Sequence, residues 1–366
     1  MSGNTFGRTL RLTTFGESHG LGIGGVLDGC PAGLSIDERE IQAELDLRKP
    51  GDGPLGTKRK ESDTVRILSG TFEGLTTGAP IAFFIKNENA RSGDYGDLAD
   101  IFRPGHADWS YYKKYNGVRD YRGGGRASGR ETAARVAGGA IAKKILSCLA
   151  NVRIEAGCVA LGGEAAREED IDLAGAINRP YFAASEAMVE VWNEAARKAR
   201  ENRDTLGGIA RIVARNVPAG LGEPVFDRLD AVLAYAVMSV GAVKGVEIGA
   251  GFRAAGLFGS QNNDPMRPGE TPGRPKFGSN NAGGVLGGIS SGEDIVIQAA
   301  VKPIASIPRE QDTINKKGEA AKITIGGRHD LSAIPRVIPV LSAMTALALA
   351  DALLLQRRMD ISPYER

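Results

Sequence analysis

The chain has 366 residues, of which 42% are hydrophobic and 25% charged. That balance excludes a disordered polypeptide and lets a core form without disulfides or metals. A formal net charge of +2 leaves no basic excess to drive counterion release, which excludes a protein that coats nucleic acid.

The first twelve residues hold no apolar run that reads as a secretory leader, and the composition reads as that of a soluble, cytoplasmic protein. β-Branched content and alternation predict strands over Thr9–Thr14 and Ile23–Leu27. Ser35-Ile-Asp-Glu38 reads as a capping box opening a helix that stops before Lys49-Pro50-Gly51. Strands follow over Val65–Leu68 and Ile81–Lys86. A second capping box, Ser128-Gly-Arg-Glu131, opens a long small-residue helix to about Leu149. Beyond it the pattern predicts strands at Val152–Leu161, Ile209–Val217 and Ile295–Val301, and helices over Ser185–Asn202 and Phe226–Val240. The polar, Gly/Pro-rich stretch Gly259–Gly284 reads as a mobile loop. Val337–Leu355 is the most apolar segment, but it carries Pro339 and Asp351 and is short for a membrane span. It reads as a buried core helix begun by Pro339. No linker divides the chain, which reads as one domain over 1–366.

A weak repeat supports that reading. Cys30-Pro-Ala-Gly-Leu34, between a strand and a helix, recurs as Val217-Pro-Ala-Gly-Leu221 in the same setting. Gly74-Leu-Thr-Thr-Gly78, followed by Ile81, recurs as Gly288-Ile-Ser-Ser-Gly292, followed by Ile295. Two similar α/β halves sharing a core would account for both pairs.

Three cysteines (Cys30, Cys148 and Cys158), an odd number in a long chain, argue against a disulfide framework, and they have neither HExxH nor CxxC company for a zinc site. G-x-S-x-G and the P-loop are absent. Gly20, Gly22 and Gly25 match G-x-G-x-x-G, but no helix follows to hold a pyrophosphate, so the match reads as accidental. The 50 glycines form short clusters, and arginine outnumbers lysine about two to one. Glycine lets backbone approach a ligand closely, and guanidinium matches phosphate and carboxylate oxygens. Arg119-Asp-Tyr-Arg-Gly-Gly-Gly-Arg-Ala-Ser-Gly-Arg-Glu131 joins both features to a helix N-terminus and reads as a strong anion site. The run Arg48-Lys49…Lys58-Arg59-Lys60 reads either as a phosphate-gripping flap or as solvated surface. The three histidines lie in Gly-rich, charged loops. His19 and His106 are the proton-transfer candidates, while His329 is outranked by its neighbours Arg328 and Asp330.

GESHG (16–20), FRPGHAD (102–108), DYRGGGRASGRET (120–132), VPAGLGEPVFDRLDA (217–231), AVKGVEIG (242–249), GGVLGGISSG (283–292) and GGRHD (326–330) occur in order along nearly the whole chain. Together they resemble the chorismate synthase family. The resemblance implies a β-α-β sandwich, an α/β fold with helices between two antiparallel sheets, usually as a homotetramer. It implies trans-1,4-elimination of phosphate from 5-enolpyruvylshikimate 3-phosphate, with reduced FMN required although there is no net redox change and NADPH as a reductant. It also assigns roles by motif. His19 protonates the departing phosphate, His106 serves the flavin N1 side, and Asp330 assists removal of the C6 proton. FMN is gripped by Arg126, Ala127, Ser128, Gly241, Ala242, Gly287, Lys302, Pro303, Ile304, Ala305, Ser306 and Arg328. Arg48 and Arg59 match basic positions on the substrate and nicotinamide side. No metal, nucleic acid or membrane is implied. The competing classes are a flavin-dependent reductase and an RNA- or phosphate-binding module.

Overall fold

The computed structural model describes residues 3–49, 55, 63–88, 99–270, 275–326 and 330–359. From the N-terminus run β1 (Thr5–Phe6), β2 (Arg11–Gly16), β3 (Gly22–Asp28), α1 (Glu38–Arg48), β4 (Val65–Ile67), the hairpin β5 (Thr71–Phe72) and β6 (Leu75–Thr76), β7 (Ile81–Lys86), α2 (Asp108–Lys114) and α3 (Thr132–Ala150). There follow β8 (Arg153–Leu161), β9 (Glu164–Ala165), α4 (Leu173–Ala176), α5 (Met188–Glu201), β10 (Gly208–Arg215), α6 (Leu229–Met238), β11 (Val243–Ile248) and α7 (Gly259–Asn262). The chain continues through β12 (Met266–Pro268), β13 (Pro275–Phe277), the hairpin β14 (Val285–Leu286) and β15 (Ile289–Ser290), β16 (Ile295–Val301), β17 (Glu310–Ile314), β18 (Ala320–Thr324) and α8 (Ile334–Met359).

Two antiparallel sheets result, in the orders β1-β2-β3-β7-β4 and β11-β16-β10-β8-β9. The inner strands β7 and β16 each bury one face by simple alternation: Ile81, Phe83 and Ile85 on β7, and Ile295, Ile297, Ala299 and Val301 on β16. Helix α3 packs on β2, β3 and β7, α8 packs on β8 and β10, and the two helices pack on each other. The helices are thus the middle layer between two sheets, as the sandwich reading expects. The crossing is tight because it is built from small residues. A Cβ on Gly139 of α3 would fall 2.3 Å from Cβ of Ala343 on α8.

The repeat is real at the level of topology and hydrogen bonding. Apart from insertions (α2 in the first half; β9, α4, α5, α7, β12, β13, β17 and β18 in the second), both halves run strand, strand, helix, strand, hairpin, strand, helix: β2, β3, α1, β4, β5–β6, β7, α3, and then β8, β10, α6, β11, β14–β15, β16, α8. In each, the last strand of the series pairs antiparallel with the strand that precedes the PAGL turn, β7 with β3 and β16 with β10. Thr76 N donates to Leu34 O at 2.9 Å and its Oγ1 bonds both Leu34 N (2.9 Å) and Pro31 O (2.6 Å). Ser290 N donates to Leu221 O at 2.8 Å and its Oγ bonds both Leu221 N (2.8 Å) and Pro218 O (2.6 Å). One buried hydroxyl thus closes each turn onto its hairpin.

Several local expectations are corrected. Helix α1 is capped by Asp37, whose carboxylate accepts from Arg39 N at 2.6 Å, and not by Ser35, which bridges to Leu75. Ser128 caps a short 3-10 turn, Gly129–Glu131, ahead of α3. Gly259–Gly284 is anchored over its described residues, because Asp264 accepts from Ser279 Oγ (2.6 Å), Asn281 N (2.7 Å) and Ala282 N (2.9 Å). Helix α8 begins at Ile334 and contains Pro339 within it. It is the one helix among the described residues long and apolar enough to cross a membrane, and almost all of it is buried inside the protein. Its Asp351 is buried because the carboxylate accepts from Arg8 N (2.9 Å), Thr9 N (2.7 Å) and Leu10 N (2.8 Å).

Thr76→Val and Ser290→Ala each leave a part-buried or buried backbone N–H and C=O without the hydroxyl that binds them. Both are expected to cost about 1–3 kcal/mol in denaturant unfolding; a marked loss for one with none for the other would break the equivalence of the two turns.

Candidate active site

The site grows from a stretch of backbone that glycine alone tolerates well. Over Arg122–Ala127 the chain coils with Gly123, Gly124 and Gly125 at φ of 58°, 90° and 54°, in the left-handed region that side chains disfavour. The absent side chains also admit two imidazoles. A Cβ on Gly123 would lie 2.3 Å from Cε1 of His19, and one on Gly124 would lie 3.2 Å from Cε1 of His106. The loop therefore brings together two histidines that are distant in sequence. Asp120 fixes its start by accepting from Arg122 N (3.0 Å), Nε (2.8 Å) and Nη2 (2.9 Å). The Arg122 hydrogen bond holds the Asp120 carboxyl below the usual range despite partial burial.

His19 rides on the turn Glu17–Gly20. Ser18 N donates to Gly125 O at 3.4 Å, tying that turn to the glycine loop. Ser18 Oγ donates to Arg122 O at 3.2 Å and lies 3.2 Å from His19 Nδ1.

His106 is held from the other side. Its Nδ1 is 3.0 Å from Oδ1 of Asp108, the first residue of α2. Asp108 is buried, and Arg103 grips it through Nε (2.7 Å) and Nη2 (2.9 Å), with Arg119 Nη1 at 3.2 Å. Burial pushes this carboxyl up, but hydrogen bonds from Arg103 and His106 outweigh that and hold it well below the usual carboxylate range. The same loop is seated on Lys302–Ser306, because Lys302 Nζ donates to Gly105 O at 2.5 Å. Lys302 N donates to Ala242 O at 2.9 Å, which brings Gly241 and Ala242 alongside. Ala242 sits at φ 74°, a strained value for a residue with a side chain. A Cβ on Gly241 would meet nothing within 4 Å.

Asp330 contributes the third titratable group. Its Oδ2 is 2.7 Å from Arg336 Nε in the first turn of α8, and its Oδ1 is buried with no hydrogen-bond partner among the described residues. On the opposite wall, Arg126 donates to Thr14 O (2.9 Å), Thr14 Oγ1 and Asn4 Oδ1 (3.3 Å). Arg130 pairs with the buried Asp63, which also takes Arg48 Nη1 at 3.0 Å.

His19, His106, Asp330 and the arginines 103, 126, 130 and 336 border a single cleft of about 710 Å³, lined among the described residues by eight cationic side chains and four carboxylates. The imbalance suits a polyanionic ligand, although the chain as a whole is nearly neutral. His19, His106, Asp330, Arg48, Arg126, Ala127, Ser128, Gly241, Ala242 and Lys302 through Ser306 all line it. Gly287 does not. It forms the tip of the β14–β15 hairpin, where φ of 61° calls for glycine, and it lies outside the cleft of the single chain. Arg48 is in the wall but only 2% exposed, committed to Asp63, Thr132 Oγ1 (3.1 Å) and Gly129 O (3.3 Å). It braces the wall. Arg59, Arg328 and His329 fall outside the described residues. Asp63, Asn87 and Arg336 line the cleft without any local motif that marks them.

A family model described as chorismate synthase matches residues 10–354. The chain is 68% identical to a chorismate synthase of Desulfovibrio desulfuricans over 99% of its own length and 100% of that protein. It is 60% identical to one of Nitratidesulfovibrio vulgaris over 98% and 99% of the two chains. A crystal structure of a chorismate synthase superposes with a TM-score of 0.75 at 36% identity, covering 96% of this chain and 93% of the other.

Asp108→Asn leaves two buried guanidiniums without their anion and is expected to cost about 3–5 kcal/mol of stability. The depressed carboxyl contributes stability above the unfolded aspartate pKa, about 3.9, and that contribution is lost as pH falls toward the folded value. Acid unfolding followed by circular dichroism should therefore be less steep in the variant below about pH 4; equal slopes would remove Asp108 from the acid response.

Proposed function

The chain belongs to the chorismate synthase family, and from that premise we propose that the cleft around the glycine loop is its active site, with His19 as acid, Asp330 as base and His106 on the flavin side. The enzyme is a carbon–oxygen lyase. It eliminates phosphate from 5-enolpyruvylshikimate 3-phosphate in a trans-1,4 sense to give chorismate, the last shared step toward the aromatic amino acids. The observation that carries the site assignment is the passage of Gly123 and Gly124 between His19 and His106, in a cleft whose walls are mainly cationic.

In this reading Arg130 and its neighbours hold the phosphate and carboxylates of the substrate. His19 gives a proton to the phosphate oxygen as the carbon–oxygen bond breaks. Its Nδ1 lies 3.2 Å from Ser18 Oγ, which orients the ring. Asp330 takes the C6 proton, and the electrons of that C–H bond complete the new ring double bond. Arg336 keeps the Asp330 carboxylate paired through Oδ2, leaving Oδ1 for the proton.

The family needs reduced flavin, and this cleft fits it. Asp330 Oδ1, without a hydrogen-bond partner among the described residues, the open space beside Gly241 and the strained Ala242 backbone line one side. Arg126, Ala127, Ser128, Lys302 through Ser306 and Arg328 would hold FMN there. Reduced FMN supplies electron density that helps phosphate depart without net oxidation, with NADPH as a source of reduction. Arg48 and Arg59 belong to the substrate and nicotinamide side, Arg48 as a brace behind Arg130. We further read the chain as one domain over 1–366, acting as a cytoplasmic homotetramer on a small molecule, with no part for nucleic acid, membrane or metal.

Under anaerobic conditions with chemically reduced FMN, the protein is expected to release phosphate from the enolpyruvyl substrate without net NADPH oxidation. His19→Ala should slow that release by about 10²-fold or more; release at the wild-type rate would remove His19 from the reaction. Arg126→Ala should weaken FMN about tenfold or more, the scale of a lost charge-assisted hydrogen bond, in a fluorescence titration; unchanged affinity would move the flavin elsewhere.

A further inference from the structure

Asn87 follows β7 directly and takes no part in the chemistry above, yet each polar group of its side chain is in use. Nδ2 donates to Glu17 O and to Gly20 O, both at 2.9 Å. Those two carbonyls are the ends of the turn that carries Ser18 and His19. Oδ1 accepts from Arg130 Nε at 3.0 Å. The backbone N–H donates to Leu21 O at 3.1 Å, pinning the residue just beyond the same turn. Arg130 is itself held by buried Asp63 and by Lys86 O at 3.4 Å. Asn87 also lines the cleft, with its side chain part-buried.

Only a carboxamide meets this demand at that size. The position needs two donors for two carbonyls and one acceptor for a guanidinium, all in one plane. Aspartate offers no donor when ionised, and an aliphatic side chain offers neither.

We infer that Asn87 is a positioning residue that holds the His19 turn in register with Arg130. One amide joins the proton donor to the guanidinium that meets the phosphate, so the leaving group is gripped and protonated from a fixed separation. Such alignment is worth orders of magnitude in rate when it is lost by about 1 Å. The inference rests on the reading of His19 as the acid.

A double-mutant cycle tests it. Asn87→Asp is nearly isosteric but sets a carboxylate oxygen against the two carbonyls. Phosphate release by this variant should fall about 10- to 100-fold in kcat, with FMN affinity and melting temperature close to wild type. In a His19→Ala background the same substitution should cost less than about twofold, because the positioned group is gone. Wild-type kcat in Asn87→Asp, or equal losses in both backgrounds, would overturn the assignment and leave Asn87 as a support of the fold. Asn87→Ala, which removes the clamp without adding charge, carries the same cycle where the aspartate variant does not fold. The His19→Ala rate alone tests the acid role, so the failure of that reading is told apart from the failure of this one.

Discussion

Close approach of bare backbone to two imidazoles sets the terms for everything else in the cleft. Three successive glycines at positive φ let the loop 122–127 run where a side chain on Gly123 would strike the His19 ring, one on Gly124 would crowd His106 and one on Gly125 would meet Asp120. Its three glycines have no side chains with which to hold it, so its order comes from the arginines at its ends and from its neighbours. Asp120 grips its first residue, Ser18 binds Gly125 O, and Arg126 is tied to the end of β2. The rigidity that catalysis requires is assembled around the loop and not within it.

Electrostatics follow the same pattern. A pocket crowded with guanidiniums would repel itself if each stood alone. Here buried carboxylates sit behind the arginines: Asp63 behind Arg48 and Arg130, and Asp108 behind Arg103 and Arg119. The carboxylates offset the repulsion and aim the charged groups, while the cleft keeps a cationic excess on its inner surface. This local arrangement explains how a chain of net charge +2 can recognise ligands bearing several negative charges.

Much of this was legible in one dimension. β7 and β16 announce themselves by alternation, and the PAGL turns with their paired hairpins disclosed the duplication before any contact was known. The glycine loop was legible because local composition alone, arginines around three glycines, implies an anion site. What escaped was what depends on distant partners. Ser35 has the right spacing for a cap, yet Asp37 lies nearer the first free amides and captures them. The glycines of β3 look like a nucleotide loop but serve aromatic packing, since side chains on Gly22 and Gly24 would strike the rings of Phe84 and Phe15. Asp63 and Asn87 carry no pattern at all, because their roles arise only when three remote segments meet.

The clasp between Asp351 and the amides of Arg8, Thr9 and Leu10 bears on how the molecule is made. The turn it secures leads into β2, to which Arg126 is tied, and then into the segment carrying His19. A growing polypeptide cannot close that clasp until translation has passed position 351. Arg8, Thr9 and Leu10 therefore wait for a residue 341 to 343 positions further along the chain, and the cleft is complete only once both segments are in place.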